Sequence, residues 1–277
     1  MGLRIGTNMA ALAANRALTH SSDDQKKTYT RLATGNRITE AGDDAAGLSI
    51  SENLRSQIRS MTQAERNAND AISFAQVAEG GLSEIGNMLI RMRELGVQAA
   101  SDTVGDKERG YINKEVSTLL TEVDRIAQGT NYNGMSLLNG QSSKGVLDFQ
   151  VGIRNTAPDR INFNINENDV RSSTLGVKDL DYTSIDSARD SLDRVDKAMD
   201  HVFGIRATLG AMQNKLHSTI SSIGINKENL AQAHSRIADT DIATETSDLV
   251  RGNILQSAGV AVLAQANQAP MNALKLL

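Results

Sequence analysis

The sequence predicts a mainly α protein: a long, coiled-coil-like helical bundle formed by its N- and C-terminal halves, with a small β-hairpin region between them. Three observations lead there. Apolar residues recur at three- and four-residue steps over very long stretches. Aromatics are scarce, four Phe, four Tyr and no Trp among 277 residues, and there are two prolines, whereas sandwiches and barrels draw on both. Strict alternation, the mark of strands, is confined to one short region near the middle of the chain.

Taken in order, the chain begins with Leu3, Ile5, Met9, Leu12 and Leu18 at helical spacing, before a polar stretch from Thr19 to Lys27. From Asp44 to about Ala99 two apolar rows interleave. One is Leu54, Ile58, Met61, Ala68, Ile72, Ala75, Leu82 and Leu89; the other is Ala71, Phe74, Ala78, Ile85, Met88, Met92, Leu95 and Ala99. Two rows predict a helix buried on two faces. After the turn-like Ser101 to Asp106, Ile112, Val116, Leu119, Val123 and Ile126 predict a second helix. Gly129 to Gly145, rich in Gly, Asn and Ser, reads as loop. Leu147, Phe149, Val151 and Ile153 then alternate with polar residues, as do Ile161, Phe163 and Ile165, and Pro158 lies between them. These predict a β-hairpin over about 146–166, projecting from the helices, with Asn166 to Asp181 as the loop that leaves it.

The last long run keeps one register through Ile185, Ala188, Leu192, Val195, Met199, Val202, Leu209, Leu216, Ile220, Ile223, Leu230 and Ile237. Arg206, Gln213, Lys227 and His234 fall on that register and interrupt it. A helix from Ser184 to Ile237 would be on the order of 80 Å long, far beyond what a globular domain uses, and needs partner helices. From Leu249 to Leu277 the only charges are Arg251 and Lys275, yet Asn253, Gln256, Ser257, Gln265, Asn267 and Gln268 punctuate an Ala, Val and Leu background. Such a segment is too polar for lipid and too apolar to stay solvated alone. The reading is that both ends acquire their helical structure by packing against other copies of the same chain.

Several function classes fall away. The charge is nearly balanced, 29 Lys+Arg against 33 Asp+Glu, a net −4, which is the wrong sign for a general nucleic-acid-binding face. Basic residues in the first forty positions lack the interleaved aromatics that stack bases. No run of apolar residues is long enough to insert into a membrane, and residues 1–18, carrying Arg4 and Arg16, do not form a cleavable secretory signal. The absence of cysteine removes thiolate metal sites and cysteine nucleophiles. His20, His201, His217 and His234 show no metal-ligand spacing. The pairs Asp43-Asp44 and Asp239/Asp241 sit at predicted helix boundaries and read as caps rather than acid/base carboxylates. Gly80-Gly81 lies within a helical register and reads as close helix packing, not a phosphate loop. No catalytic residue, cofactor or metal is expected, and the chain is not read as an enzyme.

Several blocks together resemble one family, the bacterial flagellins. They are Arg31-Leu-Ala-Thr-Gly-Asn-Arg-Ile38, Asp43-Asp-Ala-Ala-Gly47, Arg66-Asn-Ala-Asn-Asp70, Arg93-Glu-Leu95 and Asn131-Tyr-Asn-Gly134 in the first half. In the second half they are Ser235-Arg-Ile237, Ala243-Thr-Glu245, Ile254-Leu-Gln256 and Val262-Leu-Ala-Gln-Ala-Asn-Gln268. The resemblance covers about residues 1–140 and 180–277. It implies a two-domain flagellin lacking outer domains, a structural subunit that polymerises through its terminal helices into a hollow helical propeller for motility. Residues 1–42 with 240–277 would be the inner terminal-helix domain, and 43–178 with 179–239 the helical domain that carries the hairpin.

The resemblance also implies partners and place. Many copies of the chain, or sister flagellins, would pack through Leu3, Ile5, Met9, Leu12, Leu18, Ile254, Leu255, Val260, Leu263, Leu274 and Leu277. Filament cap and hook-junction proteins would adjoin the polymer, and a flagellar export chaperone would hold the C-terminal tail. The subunit would leave the cell through the flagellar type III apparatus and reside in the extracellular filament. Arg91, Leu95 and Glu115 align with the surface recognised by a vertebrate Toll-like receptor. Two other readings compete: a hook-filament junction protein, which shares such terminal helices, and a self-associating helical adaptor, which predicts small closed assemblies.

Overall fold

The computed structural model describes residues 7–141 and 145–274, with side chains as far as Gln268. Five helices dominate: α1 (Met9–Thr34), α2 (Ala45–Ala99), α3 (Asp106–Gly129), α4 (Ile185–Ala238) and α5 (Ile242–Leu274). Two antiparallel hairpins lie between α3 and α4, β1 (Asn131–Tyr132) with β2 (Met135–Ser136), and β3 (Val146–Gln150) with β4 (Arg160–Asn164). The protein is thus mainly α with small two-stranded sheets, as its periodicity predicts.

The boundaries have local causes. Asn8 caps α1 by accepting the Ala11 N–H at 3.0 Å, and Gly35 ends it in the left-handed region, φ 73°, donating its N–H to the Arg31 carbonyl. Asp44 accepts the Gly47 N–H at 2.8 Å at the start of α2, and Asp241 accepts the Ala243 N–H at 2.9 Å at the start of α5. One member of each acidic pair, Asp44 and Asp241, therefore acts as a cap. Asn133 and Gly134, φ 50° and 77°, take the two left-handed positions that a two-residue hairpin loop requires. This β1–β2 hairpin stands where the sequence reads loop. The polar stretch Thr19–Lys27 is also helical, being part of an uninterrupted α1.

Contact density divides the chain into two units, Met1–Ile58 with Glu228–Leu277, and Arg59–Lys227. The division falls inside α2 and α4, whereas the sequence reading draws its line at the helix breaks near 42 and 240.

Within Arg59–Lys227 one continuous core joins α2, α3, α4 and the hairpins. Its α2 face is rich in alanine, with Ala68, Ala71, Ala75 and Ala78 fully covered, and small residues let neighbouring helices come close. The few aromatics are concentrated. The Phe74 ring meets Tyr132 of β1, Phe149 of β3 and Phe163 of β4 at centroid distances of 6.0, 5.5 and 5.6 Å. Ile161, Phe163, Val151 and Ile165 are buried in the same core, so the β3–β4 hairpin packs against the helices rather than projecting from them. An alternating strand with one apolar face must cover that face, and only the helices offer a surface.

The segment from β4 to α4 is pinned by side chains. Asp124 accepts the Ser172 N–H and hydroxyl at 2.8 and 2.7 Å, and the Arg194 guanidinium donates to the carbonyls of Gly176 and Asp179. Tyr182 is fully buried, donating its hydroxyl to the Met92 carbonyl at 3.3 Å, and burial pushes its phenol up to about 12. Gly96 makes room for it: a Cβ there would lie 2.9 Å from the Tyr182 ring and 2.8 Å from Leu192. Arg109, 5% exposed, closes the α2–α3 turn by donating to the Ala99 and Ser101 carbonyls and to Asp106.

In the other unit, α1/α2 and α4/α5 break beside each other, and the breaks are joined. Asn36 and Asp239 form an isolated antiparallel bridge. The Arg37 N–H donates to the Ala238 carbonyl at 2.7 Å, the Thr240 N–H to Gly35 at 2.9 Å, and the Arg37 guanidinium to the Ile237 carbonyl. Asp43 accepts from the Thr39 hydroxyl and N–H, with Lys27 at 3.5 Å and Arg31 at 4.0 Å. The Thr39 hydrogen bonds, led by the hydroxyl, hold its carboxyl below the ordinary value of 3.8.

Two outcomes are expected. Arg109→Ala strips hydrogen bonds from buried carbonyls at the α2 end and lowers the unfolding free energy of the soluble chain by about 2 kcal/mol, read from urea titration. Asp43, with its folded pKa depressed, contributes stability above about pH 4 that is lost as acidification protonates it. Asp43→Asn removes that component, so its urea midpoint falls less between neutral and acid pH than that of the parent chain.

Candidate functional site

The two terminal helices form the closest helix pair in their unit and run antiparallel. Asn8 donates its side-chain N–H to the Ala266 carbonyl at 2.8 Å near one end, and Arg31 lies 3.7 Å from Glu245 near the other. Between them Gln25, 9% exposed, donates to Asn253 at 2.5 Å. The fit is set by glycines one heptad apart. A Cβ on Gly259 would come within 3.1 Å of Leu18, and one on Gly252 within 3.8 Å of Gln25. Leu18 and Gln25 are themselves a heptad apart, so two knobs on α1 meet two notches on α5 in antiparallel register. The sequence reading passed over this arrangement. The heptad spacing of Gly252 and Gly259 was the available signal, masked by the high alanine content around it.

Pairing leaves most of the expected contact residues uncovered. Met9, Leu12, Ile254, Leu255 and Val260 are exposed, from 54% at Val260 to 66% at Met9. Val250 and Val262 share that condition. Leu18 and Leu263 are half-buried. Leu3, Ile5 and Leu277 lie outside the described residues, and so does the side chain of Leu274 at the end of α5. Charge is sparse along this surface: from Leu249 onward α5 carries only Arg251 before its end, and that side chain is 3.3 Å from Asp248. Large exposed aliphatics interspersed with amides and almost no charge, as on α5 from Leu249 onward, suit dry protein contact on more than one side of the helix.

The other predicted residue group is split by the structure. Arg91 and Glu115 are exposed and tie α2 to α3, the guanidinium donating to Glu115 at 2.9 and 3.0 Å and to Glu94 at 3.2 Å. Glu115 and then Glu94 raise the Arg91 pKa further. Leu95 does not join them. It is 2% exposed and belongs to the core, because its position on α2 faces the other helices while Arg91 and Glu94 face outward. Among the described residues no group of three or more His, Cys, Asp or Glu is placed to hold a metal ion, and no helix is long and apolar enough to cross a membrane.

Comparison with known proteins bears on both ends of the chain. The bacterial flagellin N-terminal helical region matches residues 5–143, and the bacterial flagellin C-terminal helical region matches residues 192–277. Flagellin FlaB2 of Treponema pallidum (strain Nichols) is 39% identical, the alignment covering 99% of each chain. Flagellin of Bacillus subtilis (strain 168) is also 39% identical, over 99% of this chain and 100% of its own. The crystal structure of Bacillus cereus flagellin is similar over 57% of this chain and 88% of its own, at 27% identity and a TM-score of 0.51. Full-length identity with named flagellins favours the filament subunit over the junction protein. Matched at both helical regions and along its whole length, the chain belongs to the bacterial flagellin family and is a structural subunit of the flagellar filament.

Proposed function

We propose that residues 1–42 and 240–277, carrying α1 and α5, form the inner domain of the filament, and that 43–178 with 179–239 form the layer around it. The observation behind this reading is the set of aliphatics, Met9 and Leu12 on α1 and Ile254, Leu255 and Val260 on α5, left exposed by a pair that is otherwise well fitted. Burying a large aliphatic side chain contributes about 1.5–3 kcal/mol, so several per copy outweigh the ordering of two helices only when neighbours supply the opposing surface. The role is architectural, without catalysis.

Export, location and further partners follow the family's habit. The subunit leaves the cell through the flagellar type III apparatus, and an export chaperone covers the apolar, charge-poor tail of α5 beforehand. Filament cap and hook-junction proteins bound the polymer in its extracellular position. A Toll-like receptor reading the α2–α3 face meets the Arg91–Glu115 pair, with Leu95 acting only from beneath it.

Two experiments test the assembly reading. Deletion of residues 249–277 leaves a helical chain, by circular dichroism, that sediments as a monomer; long filaments from the truncated protein would refute the role given to α5. Gly259→Val drives a side chain into Leu18 and abolishes polymerisation, while Gly252→Ala, whose nearest neighbour is 3.8 Å away, still forms filaments in electron micrographs.

A further inference from the structure

Within Arg59–Lys227, the polar residues that interrupt the apolar register of α4 all find partners on α2. Lys227 Nζ is 2.5 Å from Glu65. Gln213 donates to Glu79 at 3.0 Å, and the Arg206 guanidinium approaches the same carboxylate at 3.9 Å. Arg93 Nε is 2.6 Å from Asp196. On α2 the three partners, Glu65, Glu79 and Arg93, recur at two-heptad intervals, and on α4 Lys227 and Gln213 do the same. Lys227–Glu65 and Gln213–Glu79 share one antiparallel register; Asp196 sits three residues from it opposite Arg93, and Arg206 one heptad from it opposite Glu79.

The apolar part of the seam selects that register weakly at this end. Alanine and similar aliphatics repeat along α2, and a slide by one heptad returns apolar residues to apolar neighbours. Glycine notches do not select the register at this end: Gly80, Gly204, Gly210 and Gly224 have nothing within 4 Å of a built Cβ, and those that meet α4, Gly86 at 3.4 Å from Phe203 and Gly96 at 2.8 Å from Leu192, lie toward the other end of α2. An open cleft of about 380 Å³ lies near Glu65, between Met61 and Ala64 of α2, Ile223 of α4 and the hairpin residue Ile161.

We propose that this polar column is a register lock, in which the two glutamates hold α4 on α2 against one-heptad slides and the reversed pair Arg93–Asp196 rejects the two-heptad ones. A one-heptad slide sets Lys227 opposite Ile72 in one direction and Glu65 opposite Ile220 in the other, stranding a charge against an aliphatic side chain. A two-heptad slide carries Glu79 to Asp196 in one direction and Arg206 to Arg93 in the other, like charge on like. If all three pairs had the same polarity, neither two-heptad clash would exist. The sign change is what makes the pattern unable to superpose on itself. In a subunit that is copied many times along a filament, one register gives one subunit length.

The chain contains no cysteine, so paired spin labels can be placed at will on the full-length protein. Asn87→Cys on α2 and Thr208→Cys on α4 occupy exposed positions. The otherwise unaltered chain gives a single interlabel distance. Adding Arg93→Glu with Asp196→Arg keeps every native pair attractive but removes the polarity change, and a second population with a shifted distance appears. Glu65→Ala with Glu79→Ala broadens the distribution, with a component displaced by about 10 Å along the seam, one heptad of helical rise. The swap Glu65→Lys with Lys227→Glu retains the lock and behaves as the parent chain. Circular dichroism confirms that each variant remains helical. A single native distance in both the Arg93/Asp196 and the Glu65/Glu79 variants would overturn the proposal, as would register heterogeneity in the Glu65/Lys227 swap.

Discussion

Each long helix of this protein is completed by residues from a distant part of the chain. The Asn8 side chain reaches a carbonyl 258 positions away, and Arg93 reaches an aspartate 103 positions away. A helix of α2's length cannot bury two apolar faces by itself, so the fold exists only when the N- and C-terminal halves meet. Loop closure over such separations costs entropy before the contacts repay it. The contacts that repay it are unevenly distributed. The segment Arg59–Lys227 holds nearly all of the buried aliphatic and aromatic residues, whereas those in the terminal unit are Ile38 and Ala238 among the described residues. Its other buried residues include Gln25, Thr28, Ser51 and Glu245. Stability within the chain therefore belongs to the central part, and the terminal part is specified in its geometry more than it is stabilised.

The two parts solve helix packing by different chemistry. In the central part, Gly96 admits Leu192 and Tyr182, and alanines bring α2 close to its neighbours around a large core. In the terminal part, Gly259 admits Leu18, Gln25 meets Asn253, and Arg31 meets Glu245. Hydrogen bonds and ion pairs at partly exposed positions add little net stability, about 1 kcal/mol or less each. They discriminate strongly between alignments, because a misplaced partner leaves its group unpaired.

Much of this was legible from the sequence because it depends on periodicity. The apolar rows of α2 place its limits at Ala45 and Ala99, close to the expected Asp44 and Ala99, and α4 runs from Ile185 to Ala238 against an expected Ser184 to Ile237. What was not legible depends on which neighbour a face meets. Leu95 lies on one of the predicted apolar rows and was also assigned to a recognition surface; burial decides for the row. The polar stretch Thr19–Lys27 has no apolar period of its own to predict a partner, yet α5 supplies Asn253 for Gln25. The β3–β4 hairpin was assigned correctly by alternation, but its docking onto Phe74 is a three-dimensional fact that no period encodes.

The charge-poor stretch of α5 from Leu249 onward has a physical reason once the protein is a homopolymer. A helical filament is built from head-to-tail contacts in which one patch of the chain meets a different patch of an identical copy, so a charge on either patch must find its opposite at one fixed offset on the other. Opposite charges can be matched only by offsetting different parts of the surface, which narrows the allowed packings. Asparagine and glutamine escape this restriction because each carries both donors and an acceptor and can pair with its own kind. Asn253, Gln256, Asn267 and Gln268 thus keep α5 hydrated as a free segment while remaining compatible with identical neighbours. On α5 Arg251 lies beside Asp248, and Arg31 of α1 lies beside Glu245, whereas the middle of α1 keeps exposed charges, Arg16, Asp23, Asp24, Lys26 and Lys27. A terminal segment from Leu249 onward whose one charge before the helix end is matched by Asp248, whose amides are self-complementary and whose aliphatics are left bare has its contact chemistry fixed by the requirement that it fit copies of its own chain.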